Sequence, residues 1–305
     1  MTTDYRTGHD ELVAVTGPPA TATSADAPST VVPRQRAASE PRSTWSSRPK
    51  RALAAAAHLL ARSWIVEISV IVGLAIAYNV IRALPRPHEM AAFSHAEDIL
   101  SFEGPIFDWV ELPLNQWMAG VPVVAVAACY FYALLHYAAT PFVLFRSRRQ
   151  GGWQYWRGYW SLVIASGIAL VVYALYPVAP PRLVPDLDIV DVMRSFSQYG
   201  WWGAAASAPR GIGDATNQFA ALPSMHFGWA LWCAIQMWGF GKRIWRVLAL
   251  LYPTLLTIVV IGTGNHFLTD VAAGGLCVLV ALGLVYGIRA IVERVRPSDA
   301  VEAAA

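Results

Sequence analysis

Long apolar runs, separated by shorter polar segments, dominate the pattern of the chain from residue 64 onward. A helix needs about 20 apolar residues to cross the hydrocarbon core of a bilayer, which is about 30 Å thick. Six runs approach that length, and each predicts one membrane span. The predicted fold class is therefore all-α, a polytopic membrane protein with six transmembrane helices. The six runs cover residues 64–81, 121–145, 159–176, 224–240, 247–261 and 271–288.

The segments outside these runs define the predicted domain organisation. Residues 1–62 are rich in Ala, Thr, Ser, Pro and Arg, a composition typical of a disordered tail. Residues 82–120 mix acidic and large apolar side chains, which predicts amphipathic helices lying on the surface. Residues 63–290 then form a six-helix membrane domain, and residues 291–305 form a short C-terminal tail.

Composition agrees with a membrane protein and narrows the class of partners. The chain is 56% hydrophobic and only 14% charged, whereas soluble proteins carry about 25% charged residues. A net charge of +3 is too small to favour nucleic acid, and no nucleic-acid partner is expected. The composition indicates the lipid bilayer as a partner and no particular protein partner.

The distribution of Lys and Arg predicts the orientation in the membrane. With six spans, the N-terminal tail, the 146–157 loop, the 242–246 loop and the C-terminal tail share one side, which carries 18 of the 23 basic residues. Basic segments favour the cytoplasm, so the 177–222 connection is placed on the opposite face. We therefore expect a multi-pass protein of the cell membrane with both termini in the cytoplasm.

His266 and Asp270 carry the first candidate chemistry. Side chains four residues apart on a helix share one face, so the carboxylate can accept the Nδ1–H of the imidazole. Nε2 then keeps a free lone pair and can act as a nucleophile or a general base. The alternative is that Asp270 only caps the start of a helix.

His226 follows Pro223 and Ser224 at the start of the fourth run. The unpaired backbone N–H groups of a helix start, together with the Ser224 hydroxyl, make an anion site. Both histidine clusters fall on the same predicted face, so His226, His266 and Asp270 are expected to meet outside the cytoplasm. The alternative is that Pro-Ser merely begins a helix and that His226 is an interfacial residue.

Arg182 lies just beyond the third run, at the end of a Pro-Pro-Arg sequence. Its planar guanidinium suits bidentate binding of phosphate, and Arg210 in the same connection is a second candidate. The alternative is an interfacial arginine that holds lipid headgroups. No Cys/His cluster demands a metal, and neither a metal nor another cofactor is expected.

At these residues the sequence resembles the type 2 phosphatidic acid phosphatase superfamily. Pro-Ser-Met-His, which ends at His226, is similar to the second motif of that group, and His-x-x-x-Asp, from His266 to Asp270, is similar to the third. Pro-Pro-Arg ahead of them is similar to the inositolphosphotransferase-like branch, which includes the fungal inositol phosphorylceramide synthases. The resemblance covers residues 64–288 approximately.

The resemblance implies a role for each of these residues. His266 would attack phosphorus, and Asp270 would orient it. His226 would protonate the leaving oxygen and then activate the acceptor. Arg182 and Ser224 would hold the phosphoryl oxygens, and catalysis would pass through a phosphohistidine without a metal.

The chain departs from the phosphatase pattern at three positions. Asn79 stands where the first motif has Lys, Val260 where the third has Arg, and Met225 where the second usually has Gly. The loss of two cationic side chains favours the transferase-like branch. We therefore expect a membrane lipid phosphotransferase that moves a phosphoryl or phospho-alcohol group, phosphoinositol among them, from a lipid phosphate or phospholipid substrate at the extracytoplasmic face.

Two alternatives accompany that prediction. Within the same enzyme class, the protein would be a phosphatase for phosphatidic acid or polyprenyl pyrophosphate, with water as the acceptor. In a different class, it would be a non-catalytic protein that binds or transports lipid phosphates through the same anion site.

Overall fold

Helices make up nearly all of the secondary structure in the part of the chain that the structure describes. The structure is a computed structural model that describes residues 64–83, 89–202 and 218–295. The predicted tail of residues 1–62 and Arg210 lie outside the described residues. The described helices are α1 (Trp64–Ala83), α2 (Glu89–Glu103), α3 (Leu112–Gly120), α4 (Pro122–Gln150), α5 (Gly152–Leu175), α6 (Val192–Ser195), α7 (Met225–Trp238), α8 (Arg243–Gly262) and α9 (Leu268–Val295).

Shorter elements complete the described fold. A π-helical turn, Phe107–Glu111, leads into α3, and two 3-10 turns lie at Pro181–Leu183 and Ser197–Tyr199. An isolated parallel bridge joins Val178 and Ala220.

Four of the described helices, α4, α5, α8 and α9, are long and apolar enough to cross a membrane by length and composition. They correspond to the second, third, fifth and sixth predicted spans. The described helices thus indicate a membrane protein, and the predicted total of six spans is not confirmed. α5 begins at Gly152, earlier than predicted, because Gly151 ends α4 with φ of 69°, a conformation that glycine adopts without strain.

The predicted fourth span, residues 224–240, is the short helix α7. Its 14 residues extend about 21 Å, which is less than the thickness of a bilayer core. α4, α5, α8 and α9 all pack against it, and Trp232 and Gln236 are fully buried. A helix that is apolar on every side is typical of the centre of a large bundle, so α7 is enclosed by its neighbours.

Residues 89–120 form the predicted amphipathic helices, but large apolar side chains are exposed and two acidic side chains are buried. Phe102, Ile106 and Trp109 are exposed, whereas Glu103 and Glu111 are buried. An outward face of large apolar side chains is typical of a helix that contacts lipid. The two buried carboxyl groups are turned toward the start of α9.

Glu67 connects α1 to the bundle. The Tyr155 hydroxyl donates a hydrogen bond to Glu67 Oε2, and Arg148 Nε lies 3.1 Å from the same oxygen. The Tyr159 hydroxyl donates to the Glu67 carbonyl over 3.0 Å. Because an isolated carboxylate is costly to bury, these partners make the burial possible and fix α1 against α5.

The starts of α7 and α9 lie side by side. The Ser224 N–H donates to the Asp270 carbonyl over 2.8 Å, which joins the two helix starts through their backbones. A Cβ atom at Gly274 would collide with the Ser224 carbonyl, so glycine is what permits this approach. The contact brings the two sequence motifs together.

We expect Gly274→Ala to lower the free energy of unfolding by about 1–3 kcal/mol, because the new methyl group overpacks the contact between α7 and α9. Thermal unfolding in detergent measures the change. Gly283→Ala is the matched control on the same helix, because a Cβ there meets nothing within 4 Å. That variant should be neutral or slightly stabilising, since Ala favours a helix over Gly. Equal unfolding temperatures for the two variants would contradict the tight contact.

Candidate active site

His266 lies in the turn between α8 and α9, and its side chain is buried. Its Nδ1 is 3.0 Å from the Ala221 carbonyl oxygen and 3.4 Å from Asp270 Oδ2. A carbonyl oxygen can only accept, so Nδ1 carries the proton and Nε2 holds the lone pair. This is the tautomer that the sequence predicted, although Ala221 is a nearer partner than the predicted Asp270.

Asp270 has two roles in the structure. Its Oδ2, besides lying near His266, accepts the Phe267 N–H over 2.9 Å. The two sequence interpretations, a partner of the imidazole and a helix cap, are therefore both present in one buried carboxyl group. Its Oδ1 has no hydrogen-bond partner within the described part of the chain.

His226 occupies the first turn of α7, and its ring faces His266 with the ring centroids 5.8 Å apart. The structure thus brings the two predicted imidazoles together. The other neighbours of His226 are also rings. Tyr132 stacks on it at 4.3 Å, and His136 meets it edge-on at 4.4 Å.

Tyr132 and His136 are site residues that sequence reasoning missed. They lie one turn apart on α4, and His136 Nδ1 is 3.1 Å from the Tyr132 carbonyl oxygen. A histidine in the middle of an apolar run is typical of a hydrogen-bonded core residue, and this one is such a residue. The available signal was the spacing of four residues, which places both rings on the same face of the helix.

Arg182 is bound to the turn that precedes His266. Its backbone N–H donates to the Gly264 carbonyl over 3.0 Å, and its Nη1 donates to Asn265 Oδ1 over 2.6 Å. Its Nε lies 3.6 Å from Asp191 Oδ2. The predicted phosphate-binding arginine is therefore held directly beside the predicted nucleophile.

The residues that hold Arg182 were not predicted either. Asp191 caps α6 by accepting the Arg194 N–H over 2.9 Å. Burial raises the pKa of the Asp191 carboxyl above its usual value, although the nearby Arg182 acts in the opposite direction. Asn265 donates to Thr263 Oγ1 over 2.8 Å, which orients its amide oxygen toward Arg182. No sequence pattern around Asp191 or Asn265 indicates that either residue contacts Arg182.

Ser224 precedes α7, and its side chain is fully buried. Its Oγ has no hydrogen-bond partner among the described residues. Its N–H, which the sequence offered as a donor for an anion, is already bonded to Asp270. The neighbouring Pro223 carbonyl accepts from the Tyr173 hydroxyl over 2.7 Å. The helix start therefore offers the serine hydroxyl rather than the serine amide.

The arrangement brings two imidazoles together at the starts of α7 and α9, with Arg182 bonded to the residue before His266 and Ser224 at the start of α7. In-line attack places the nucleophile and the leaving oxygen on opposite sides of the phosphorus, so the nucleophile and the acid must be neighbours. The two rings are neighbours, with their centroids 5.8 Å apart. Among the described residues, no group of three or more His, Cys, Asp or Glu side chains is placed to hold a metal ion.

A helical membrane protein with facing imidazoles at two helix starts is the class that the fold and the site define. A family model described as the PAP2 superfamily matches residues 97–284. The chain belongs to this superfamily, which supports a lipid phosphate function of the phosphatase or phosphotransferase type in general. No curated protein and no solved structure matches the chain significantly.

We expect Arg182→Lys to weaken the binding of orthovanadate, a phosphate mimic, by about tenfold, because lysine keeps the charge but loses the planar pair of donors. The shift of the unfolding temperature with vanadate concentration measures the affinity. Arg194→Lys is the matched control, since Arg194 is exposed on α6. If both variants bind vanadate as tightly as the wild type, Arg182 does not hold the anion.

Proposed function

We propose that the protein is a membrane phosphotransferase that moves a phosphoryl or phospho-alcohol group, phosphoinositol among them, from a lipid to an alcohol acceptor such as inositol. The observation that carries the proposal is the facing pair His226 and His266, with ring centroids 5.8 Å apart. Because the Nδ1 side of His266 is directed at the Ala221 carbonyl, its Nε2 lone pair is available for attack.

In the first half of the proposed reaction, His266 Nε2 attacks phosphorus and forms a P–N bond. The P–O bond to the leaving group breaks, and the protonated His226 gives its proton to the leaving oxygen. The Arg182 guanidinium and the Ser224 hydroxyl balance charge on the equatorial oxygens, where it develops in the transition state.

In the second half, the hydroxyl of the acceptor attacks the phosphohistidine. His226, now neutral, takes the proton of that hydroxyl, the P–N bond breaks, and the electron pair returns to His266 Nε2. The site is then restored for another cycle. Tyr132 and His136 keep the His226 ring in place through both halves, which is the role that their contacts support.

The surroundings of Val260 support the inositolphosphotransferase-like branch over the phosphatases. The phosphatase motif has a cationic side chain at this position, whereas Val260 is buried in the apolar core. Its carbonyl accepts the N–H groups of Asn265 and His266 over 3.1 and 3.2 Å. In this chain Arg182, bonded to Asn265, would supply the positive charge in its place.

The direction of α8 supports an extracytoplasmic site. Lys242, Arg243 and Arg246 lie at or just before its start, and the turn that carries His266 follows its end. By the preference of basic residues for the cytoplasm, the two ends of a membrane-crossing α8 put His266 on the outer side. We propose this orientation for the cell membrane, with both termini in the cytoplasm.

We expect His266→Ala to lower turnover by at least about 10³-fold, because the proposed covalent intermediate forms on its Nε2. His226→Ala should accumulate a phosphohistidine from a substrate whose aryl leaving group needs no acid. The measurement is an acid-labile, alkali-stable phosphoryl label located by peptide mapping. His95→Ala is the control, since that ring stacks on Tyr176 instead. A label on any residue other than His266 would refute the assignment.

We expect the acceptor to distinguish the enzyme types. The purified protein, incubated with phospholipid donors and with or without inositol, should form a transferred phospho-alcohol product that mass spectrometry detects. Release of free phosphate from a lipid monophosphate, unaffected by added alcohol, would favour the phosphatase. Retained lipid-phosphate binding with no turnover and no label would favour the non-catalytic protein.

A further inference from the structure

The first turn of α9, directly after His266, is bound by carboxyl groups from a distant segment. The Leu268 N–H donates to Glu111 Oε1 over 2.9 Å, and the Thr269 N–H donates to Glu103 Oε1. Together with the bond from Phe267 to Asp270, three successive backbone donors each have a carboxyl oxygen as acceptor. These are donors that a helix cannot satisfy from within itself.

Glu103 and Glu111 also face each other. Both side chains are buried, and the second oxygen of each meets no N–H or O–H donor among the described residues. Their other oxygens accept from the consecutive Leu268 and Thr269 N–H groups, so the two carboxyl groups lie side by side. Carboxylate oxygens only accept, so a bond between two carboxyl groups requires that one of them holds a proton.

The environment of Glu111 favours the protonated form of its carboxyl group. Burial, the neighbouring Glu103 and, to a smaller extent, Asp270 together raise the pKa of Glu111 from 4.5 to about 9, while the Leu268 N–H acts in the opposite direction. The titratable groups that face Glu111 are Glu103 on its own segment and Asp270 on α9, with His266 beyond Asp270. Glu111 therefore keeps its proton at neutral pH.

We propose that Glu103 and Glu111 form a single-proton carboxyl clasp that fixes the first turn of α9 and thereby positions His266 and Asp270. They are positioning residues, because their described bonds go to the backbone of α9. Only the effect of the clasp on turnover rests on the proposed function. Its effect on the structure of α9 does not.

One shared proton on Glu103 and Glu111 is more favourable at the start of α9 than either no proton or two. Two charged carboxylates beside Asp270 would repel each other in a buried site. Two neutral carboxyl groups would give up the attraction between a negative charge and the positive end of the helix dipole. With one proton, the pair keeps one negative charge at the helix start and a hydrogen bond that holds the two acceptors at a fixed spacing.

The shared proton gives the clasp a defined pH dependence. Between pH 4.5 and about 9 the folded protein holds a proton on Glu111 that the unfolded chain has released. The unfolding free energy therefore falls as the pH rises through this window. Above it the pair loses its proton, the two charges repel, and we expect kcat to fall along an alkaline limb.

Glu111→Gln and Glu111→Ala test the clasp. Glutamine keeps an acceptor for the Leu268 N–H and supplies an N–H to Glu103, so it imitates the protonated residue. It should stay within about threefold of the wild-type kcat at neutral pH and should lose the alkaline limb. Alanine should lower kcat by about 10²-fold with little change in KM, because a displaced His266 acts on the bound substrate. Glu97→Gln, exposed on α2, is the matched control.

Measurements without substrate separate the clasp from the proposed function. The unfolding temperature of the wild type should fall across the same pH window, and Glu111→Gln should flatten that dependence. Amide hydrogen exchange at Leu268 should be slow in the wild type and in Glu111→Gln, and fast in Glu111→Ala. If these changes appear while no lipid is turned over, the clasp stands and the proposed function fails.

Two outcomes would overturn the clasp. Glu111→Ala with slow exchange at Leu268 and wild-type kcat would show that the carboxyl groups do not position α9. Glu111→Gln as impaired as Glu111→Ala, in exchange and in kcat, would show that a shared proton does not join the pair.

Discussion

The hydrogen bond from the Ser224 N–H to the Asp270 carbonyl is the constraint on which the site depends. It joins the backbones of two helix starts that lie more than forty residues apart in the chain. Gly274 makes it possible, because any side chain there would push the two starts apart. Because the backbones are joined at this point, side chains at the two helix starts lie close together. His226 and His266 are therefore neighbours.

The imidazoles are held by backbone carbonyls as much as by side chains. Ala221 fixes the tautomer of His266, and Tyr132 fixes that of His136. Backbone groups in packed segments hardly move during a reaction, so the orientation of the rings is set before a substrate arrives. Such preorganisation lowers the reorganisation that a charged transition state would otherwise demand. Tyr132, which stacks on His226, belongs to α4, whereas His266 is held by the Ala221 carbonyl. Different segments of the chain therefore support the two imidazoles.

The meeting of His226, His266 and Asp270 was predictable from the sequence, whereas the residues that support them were not. His226, His266 and Asp270 stand where polar motifs meet apolar runs, and the spacing within each motif is local information. Asp191 and Glu111 reach their partners across long stretches of chain, and no local spacing encodes that. The pattern of residues 82–120 predicted the helices that residues 89–120 form but not which side is buried, because a helix beside lipid turns its apolar side outward, the reverse of a helix beside water. Run length alone also did not predict that α7 is only 14 residues long and enclosed by its neighbours.

The buried carboxyl of Asp270 bears on how long a phosphorylated His266 would last. In the proposed reaction, phosphorylation at Nε2 with the proton retained on Nδ1 would leave the ring cationic, and Asp270 Oδ2 lies 3.4 Å from Nδ1. A negative charge there would stabilise the adduct and slow its breakdown. A long-lived adduct would give a bulky alcohol time to arrive and bind. Selection between water and alcohol would then depend on the lifetime of the adduct, which the contact between Asp270 and the imidazole would set.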